Sequence, residues 1–293
     1  MGTSQSSAGP GGGVPMVPPW TPPPPPQSAP PPQDGDGDGE DGGDSAQPPA
    51  SPQAQPAAAP PAVARPVPLA PSGRFGGARR SLGDFAKTGD GRAMRRGLGR
   101  YVSSGYGGAD TATRRFGGTA ATAGALDAAL GGAGAGEAAG EGRLDPALAG
   151  GRSVEEVMDA VVEAVRPIDG TQDAEAERAS IRDALSELLT RFPEADLLNL
   201  EPEQRAYAIE RFTAIDVFRR VDLDLGKTLR DKAPSAITAL SRLKQVKDYV
   251  KETVSAAFRK MRDAGRSLTA GRVNQIVRDA LRETFEVFEG YAE

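Results

Sequence analysis

The sequence predicts an all-α protein: a C-terminal helical bundle, preceded by short basic helices and a long disordered Pro/Gly-rich N-terminal tail. Three observations predict it. Beyond Gly151 apolar residues recur at helical spacing almost throughout, with no convincing strand alternation. Of the 26 prolines, 21 fall before Gly73, where Trp20 is the sole aromatic residue. Such a stretch buries too little apolar surface to offset its ordering entropy. Between tail and bundle, an Arg-Arg pattern repeats. The chain therefore divides into a disordered tail (1–72), a basic repeat-containing module of short helices (73–130), a Gly/Ala linker (131–151) and a helical bundle (152–293).

The repeat is Arg79-Arg80-Ser81-Leu82-Gly83-Asp84-Phe85-Ala86-Lys87-Thr88-Gly89, recurring sixteen residues later from Arg95-Arg96 to Gly105. Its leucines and aromatics, Leu82 with Phe85 and Leu98 with Tyr101, stand three apart and share a helical face. The closing glycine of each copy suits a C-cap. A weaker echo follows at Thr113-Arg114-Arg115-Phe116-Gly117, so two or three short helices are expected. The apolar pairs mark a protein-binding surface, with Arg79, Arg80, Arg95 and Arg96 beside it. Arginines interleaved with rings also fit nucleic acid, the less favoured reading, because no named nucleic-acid fold signature accompanies them.

In the bundle, Ser153-Val-Glu-Glu156 is a capping-box pattern, followed by Val154, Val157, Met158, Val161, Val162 and Val165 up to Pro167. Ile181, Ala184, Leu185, Leu188, Leu189 and Phe192 write a second helix stopped by Pro193. Pro202 opens a third, with Tyr207, Ile209, Phe212, Ile215 and Phe218 as its apolar content. Pro234 and Ser235 open a fourth, running from Ile237 and Leu240 to Met261 and ending near Gly265. After Thr269 as N-cap, the last helix carries an unbroken stripe from Val273 to Phe288. These stripes are read as core, except that the last, with Phe285 and Phe288 as anchors, is assigned to a partner or to self-association.

The net charge of −5 conceals a segmental pattern. Six acids lie between Asp34 and Asp44, whereas residues 73–118 hold ten bases against three acids. Absence of Cys and His removes disulfides, thiol nucleophiles, Ser-His and Cys-His catalysis and the common zinc sites. Asp34-Gly-Asp36-Gly-Asp38-Gly39 begins like a calcium loop, but Ser45 stands where the loop needs Glu. No phosphate-cradling Gly-Lys-Ser/Thr loop occurs, and no spacing selects a carboxylate pair for catalysis. A non-enzyme without a cofactor is expected. No secretory or membrane-spanning pattern is found, so a cytoplasmic location is expected.

The start, MGTSQSSAGPGGGVPMVPPW, is locally specific although it opens a disordered segment. A partner that reads the sequence explains this, with Gly2, Thr3, Ser4 and Ser6 as its contacts. Removal of Met1 frees the Gly2 α-amine, whose pKa of ~7.7–8.0 leaves part of it neutral near pH 7.

Met-Gly-Thr-Ser-x-Ser followed by Gly-Pro and Val-Pro-Pro-Trp, together with the Arg-Arg-x-Leu-Gly-x-aromatic pair leading into Gly107–Gly117, resembles the QatB family of Qat anti-phage system associated proteins. The resemblance covers the start of the tail and residues 74–130. It implies a four-component bacterial defence system whose other members are a P-loop ATPase (QatA), an enzyme similar to the 7-cyano-7-deazaguanine synthase QueC (QatC) and a TatD-like DNase (QatD). A QueC-like enzyme activates a carboxylate with ATP and passes it to an amine, and Gly2 is a chemically suitable amine. The alternative is a DNA-binding adaptor that recruits the nuclease or ATPase through residues 74–118.

Overall fold

Helix α1 (Gly76–Thr88) ends as its sequence dictates: Gly89 takes a left-handed φ of +78° and donates its N–H to the Phe85 carbonyl at 2.7 Å. The computed structural model describes residues 73–131, 153–266, 268 and 271–293. The disordered tail expected at 1–72 and nearly all of the expected linker lie outside the described residues. Asp90 caps α2 (Gly91–Arg100), accepting from the Arg92 N–H at 2.9 Å. The second copy of the repeat does not stop at Gly105. Its helix passes into a π-helical turn, π1 (Tyr101–Tyr106), and reverses at Gly107, whose φ is +82°. Gly105 serves a close approach instead, since a Cβ there would lie 2.5 Å from the Phe75 ring. Helices α3 (Ala109–Arg115) and α4 (Gly117–Leu130) follow.

The expected capping box starts α5 (Val154–Val165), with Ser153 and Glu156 bonded reciprocally at 2.8 and 3.3 Å. Pro167 pushes the preceding Arg166 out of helical backbone and ends it. Thr171 caps α6 (Gln172–Arg191), and Pro202 sits at the first position of α7 (Pro202–Val221), where its missing N–H is not needed. Two elements have no counterpart in the expectations: a second π-helical turn, π2 (Asp222–Gly226), and α8 (Lys227–Lys232). Ser235 caps α9 (Ala236–Asp263) at 3.1 Å. The last helix, α10 (Val273–Glu289), has Arg272 in its N-cap position, and Thr269 lies outside the described residues. No strand occurs among the described residues.

Helix α7 is the axis of the packing. From Ala208 to Val217 almost every side chain is buried, and it packs on α4, α6 and α9. Helix α10 is enclosed by α2, α3, α4 and α9, while α1 packs on α2 and α8. One core therefore runs from Phe75 to Phe288, and the basic segment shares it with the C-terminal helices.

That shared core corrects two expectations. Leu82, Phe85, Leu98 and Tyr101 are fully buried and offer no docking surface. The repeat instead encodes close helix packing: a Cβ at Gly97 would lie 2.6 Å from the Leu82 side chain, and one at Gly99 would lie 2.6 Å from the Tyr291 carbonyl carbon. Phe285 and Phe288 are likewise buried, because α2 to α4 supply the face that the stripe of α10 requires. Conversely, Ile237 and Leu240, expected in the core, are 82% and 68% exposed. The buried stripe of α9 runs through Ala239, Leu243 and Val246 and leaves them to one side.

Candidate functional site

Two π-helical turns, far apart in the chain, meet at one carboxylate. Residues five apart on an α-helix point about 140° apart. The wider i→i+5 winding of π1 brings Tyr101 and Tyr106 to the same side, their hydroxyls 3.3 Å apart. The carboxylate of Asp224, from π2, accepts from Tyr101 at 2.8 Å and from Tyr106 at 3.2 Å, both on Oδ2. Burial, then the neighbouring Tyr106 and Asp224, holds the Tyr101 phenol well above its ordinary pKa, and burial raises that of Tyr106. Both phenols therefore stay protonated and act as donors. Phe75 stacks on Tyr101 at 5.1 Å, and Phe116 meets Tyr106 at 5.7 Å, so the rings expected to stack on bases are packed on one another.

Beneath them lies a buried ionic network. Asp216 is fully enclosed and accepts from the Thr119 hydroxyl at 2.7 Å and the Ser180 hydroxyl at 3.3 Å. Burial pushes its carboxyl pKa upward, and Arg220, 3.6 Å away, opposes the shift. Arg220 also reaches Glu177 at 3.0 Å and Asp173 at 3.5 Å, while Arg166 holds the other oxygen of Glu177 at 2.9 Å. Although burial works against the charged guanidinium, Asp216, Asp173 and Glu177 together raise the Arg220 pKa.

Tyr106, Arg220 and Asp173 also reach a cleft of about 290 Å³, lined with them by Arg74, Arg115, Leu223 and Asp224. A second, wider groove of about 650 Å³ lies between Arg191, Tyr207 and Arg262. There Arg262 is paired to Glu210 at 3.4 Å and Arg211 lies over Tyr207. Each is lined by three arginines and two acids, and the cleft is set apart by the pairing state of the basic segment that borders it. None of the ten bases between Arg74 and Arg115 forms an ion pair with a described residue, whereas Asp110 in that stretch pairs with Arg282.

Of the residues singled out from sequence, Arg79, Arg80 and Arg96 are exposed and Arg95 is half-buried. The structure separates them. Arg79 donates to the Asp224 carbonyl at 3.3 Å beside the cleft, whereas Arg96 reaches the Glu293 carbonyl and Arg95 lies over Tyr291. Gly2, Thr3, Ser4 and Ser6 lie outside the described residues. Arg74, Tyr106, Asp173, Asp224 and Arg220 escaped sequence reasoning because three separate segments bring them together. The five-residue spacing of Tyr101 and Tyr106, out of phase with an α-helix, was the available signal.

A family model for the Qat anti-phage system associated protein QatB matches residues 107–288, more than half of the chain. The chain belongs to the QatB family. As a QatB-family protein it is a component of a Qat anti-phage system, and the match runs from α3 into α10, which takes in Arg115, Asp173, Arg220, Leu223 and Asp224 of the cleft and begins just after π1. Comparison with curated proteins and with solved structures gave no match. No described helix is long and apolar enough to cross a membrane, and among the described residues no group of carboxylates is arranged to hold a metal ion.

Proposed function

We propose that this QatB-family protein is a non-catalytic, cytoplasmic component of its Qat system, which presents Gly2 to the QueC-like enzyme QatC while its helical body docks with QatA and QatD. The observation that carries this reading is the distance in sequence between Gly2 and the body. Seventy residues separate Gly2 from Gly73, the first described residue, a span of up to about 230 Å at full extension. In this reading a segment of that length lets the reacting end enter an enzyme cleft while the body stays docked elsewhere, and a tether of this kind raises local concentration. The non-catalytic assignment is supported by the state of the cleft. Tyr106, which lines it, and Tyr101 beneath it have raised pKa values, which leaves little phenolate to act as a base near pH 7, and both donate to Asp224.

In the reaction that the family resemblance implies, the neutral Gly2 amine attacks the carbonyl carbon of an ATP-activated carboxylate. A C–N bond forms, the amine loses a proton and the activating phosphate group departs. Thr3, Ser4 and Ser6 supply small polar contacts to the enzyme. Intact-mass measurement of the protein purified with and without QatC tests the reading. A mass gain on the Met-less chain that requires QatC and is lost in Gly2→Glu, together with phage protection, is expected. Protection undiminished by Gly2→Glu or by residues added before Met1 overturns it, as does a mass that never exceeds that of the Met-less chain.

A further inference from the structure

Besides the paired Arg220, two guanidinium groups, Arg74 and Arg115, line the cleft between the π-helical turns and Arg79 lies beside it, none of the three ion-paired to a described residue. Arg74 lies 4.4 Å over the Phe75 ring and 5.2 Å over that of Tyr106, which fixes its position. Arg79 is held by the Asp224 carbonyl at 3.3 Å, and Arg115 lines the cleft from the end of α3. The carboxylates present are engaged elsewhere: Asp173 faces Arg220 at 3.5 Å, and Oδ2 of Asp224 lies between the two phenols. A guanidinium carries five N–H donors in a planar fork that matches the oxygens of a phosphate. Arg74 and Arg115 therefore bring to one place donors that no described residue fills.

We propose that this cleft binds a phosphate group of a duplex nucleic-acid backbone, with Arg74 and Arg115 as direct ligands and Arg79 beside them. Composition favours nucleic acid over an acidic protein. Nine of the ten bases between Arg74 and Arg115 are arginines. Protein interfaces are anchored by aromatic and apolar side chains. Here Phe75, Phe85, Tyr101 and Phe116 are buried within the chain, leaving Leu223 as the exposed large apolar residue of the cleft. A polar, strongly cationic surface is the signature of contact with nucleic acid. The one ring that lines the cleft, Tyr106, is packed against Phe75 and Phe116 with Arg74 over its face, so it is not free to stack on a base and the contact is to duplex backbone, insensitive to sequence. The proposal is independent of Gly2, which it does not involve.

The test uses the full-length chain and a labelled duplex of random sequence, titrated across salt. Wild type binds, and Arg74→Gln with Arg115→Gln weakens binding at least tenfold at low salt. Loss of two phosphate contacts makes the log–log salt slope shallower by about 1.8. Arg259→Gln, an exposed base on α9 without an ion pair, serves as control and leaves binding unchanged. Thermal melting of both proteins confirms that the body remains folded. Equal binding by the double variant overturns the proposal, as does equal loss in the Arg259→Gln control. So does loss that follows Arg80→Gln with Arg96→Gln instead, which assigns the contact to other arginines. Polyglutamate bound as tightly as duplex, or inorganic phosphate bound with no duplex binding, also overturns it.

Discussion

The Tyr101 hydroxyl donates to Asp224 Oδ2 at 2.8 Å and so ties together two π-helical turns that stand 123 residues apart in the chain. Tyr101→Phe keeps the ring in its stack with Phe75 and removes this donor alone. Tyr106 still reaches the same oxygen at 3.2 Å, so the carboxylate is not orphaned. A loss of about 1.5–3 kcal/mol is expected, the range for a hydrogen bond to a charged group, measured by urea denaturation. Tyr106→Phe, with its longer bond and only partly buried ring, costs less.

The same pair sets an alkaline limit. The folded state holds the Tyr101 proton more tightly than the unfolded chain does. Above the ordinary tyrosine pKa of about 10 the native state thus binds more protons, and stability falls as pH rises. Below that pH the contribution is fully present. Tyr249, raised to about 12 chiefly by burial, adds in the same direction. In Tyr101→Phe the decline of stability above pH 10 is shallower, read as denaturation midpoint against pH.

Much of this fold is written locally. The Ser153–Glu156 box, Pro202 at a first turn, Ser235 as a cap and Gly89 as a stop all act through neighbouring residues, and all are found where their residue types predict. What local reading misses is which element answers which face. The stripe on α10 reads equally as core or interface, and the decision rests with α2 to α4, some 160–190 residues earlier in the chain. The π-helical turns stay hidden for a related reason: each costs the regular hydrogen-bond pattern locally, and the distant contacts of Tyr101 and Tyr106 with Asp224 compensate. The basic segment was visible from charge, but its focus at Arg74 and Arg115 was not.

Two glycines of helices separate packing need from backbone cost. At Gly99 an added Cβ would lie 2.5 Å from the Ala292 nitrogen and 2.7 Å from the Phe288 oxygen, both backbone atoms unable to yield. Gly99→Ala is expected to cost about 1–3 kcal/mol, as overpacking does. In α4, a Cβ at Gly124 meets nothing nearer than the Asn274 Cβ at 3.8 Å. Gly124→Ala therefore stabilises by about 0.5–1 kcal/mol through helix propensity. Paired denaturation curves check both signs.

Phe285 sits against Phe116 at 4.9 Å and is fully enclosed. Phe285→Ala is expected to cost about 3–5 kcal/mol, the range for deleting a buried aromatic side chain. Ile237→Ser with Leu240→Ser, on the exposed side of α9, changes stability little, within about 0.5 kcal/mol for each surface substitution. Circular dichroism melts of the two variants distinguish them, and an unchanged melt for Phe285→Ala would return α10 to the role of an interface.

Arg220 is the cation on which the buried acids depend. Asp216 and Glu177 are both enclosed, and Arg220 approaches them at 3.6 and 3.0 Å. Arg220→Met leaves Asp216 with hydroxyl donors and the like charge of Glu177 but no paired cation, and Glu177 with Arg166 alone. Breaking a buried pair from one side costs about 3–5 kcal/mol, and the remaining partners here place the expected loss near the lower end, about 3 kcal/mol. Its pH dependence identifies the cause. The Asp216 carboxyl pKa is raised in the native state by burial. The native state therefore binds more protons than the unfolded chain, and stability is lost as pH rises through the folded pKa. Without the opposing Arg220 charge the shift grows, and the window of loss extends to higher pH. The deficit of Arg220→Met relative to wild type should accordingly narrow as pH falls from 7.5 to 5, measured as urea midpoints. A deficit independent of pH would assign the loss to packing of the arginine stem over Phe116, 5.3 Å from the guanidinium, rather than to the charge.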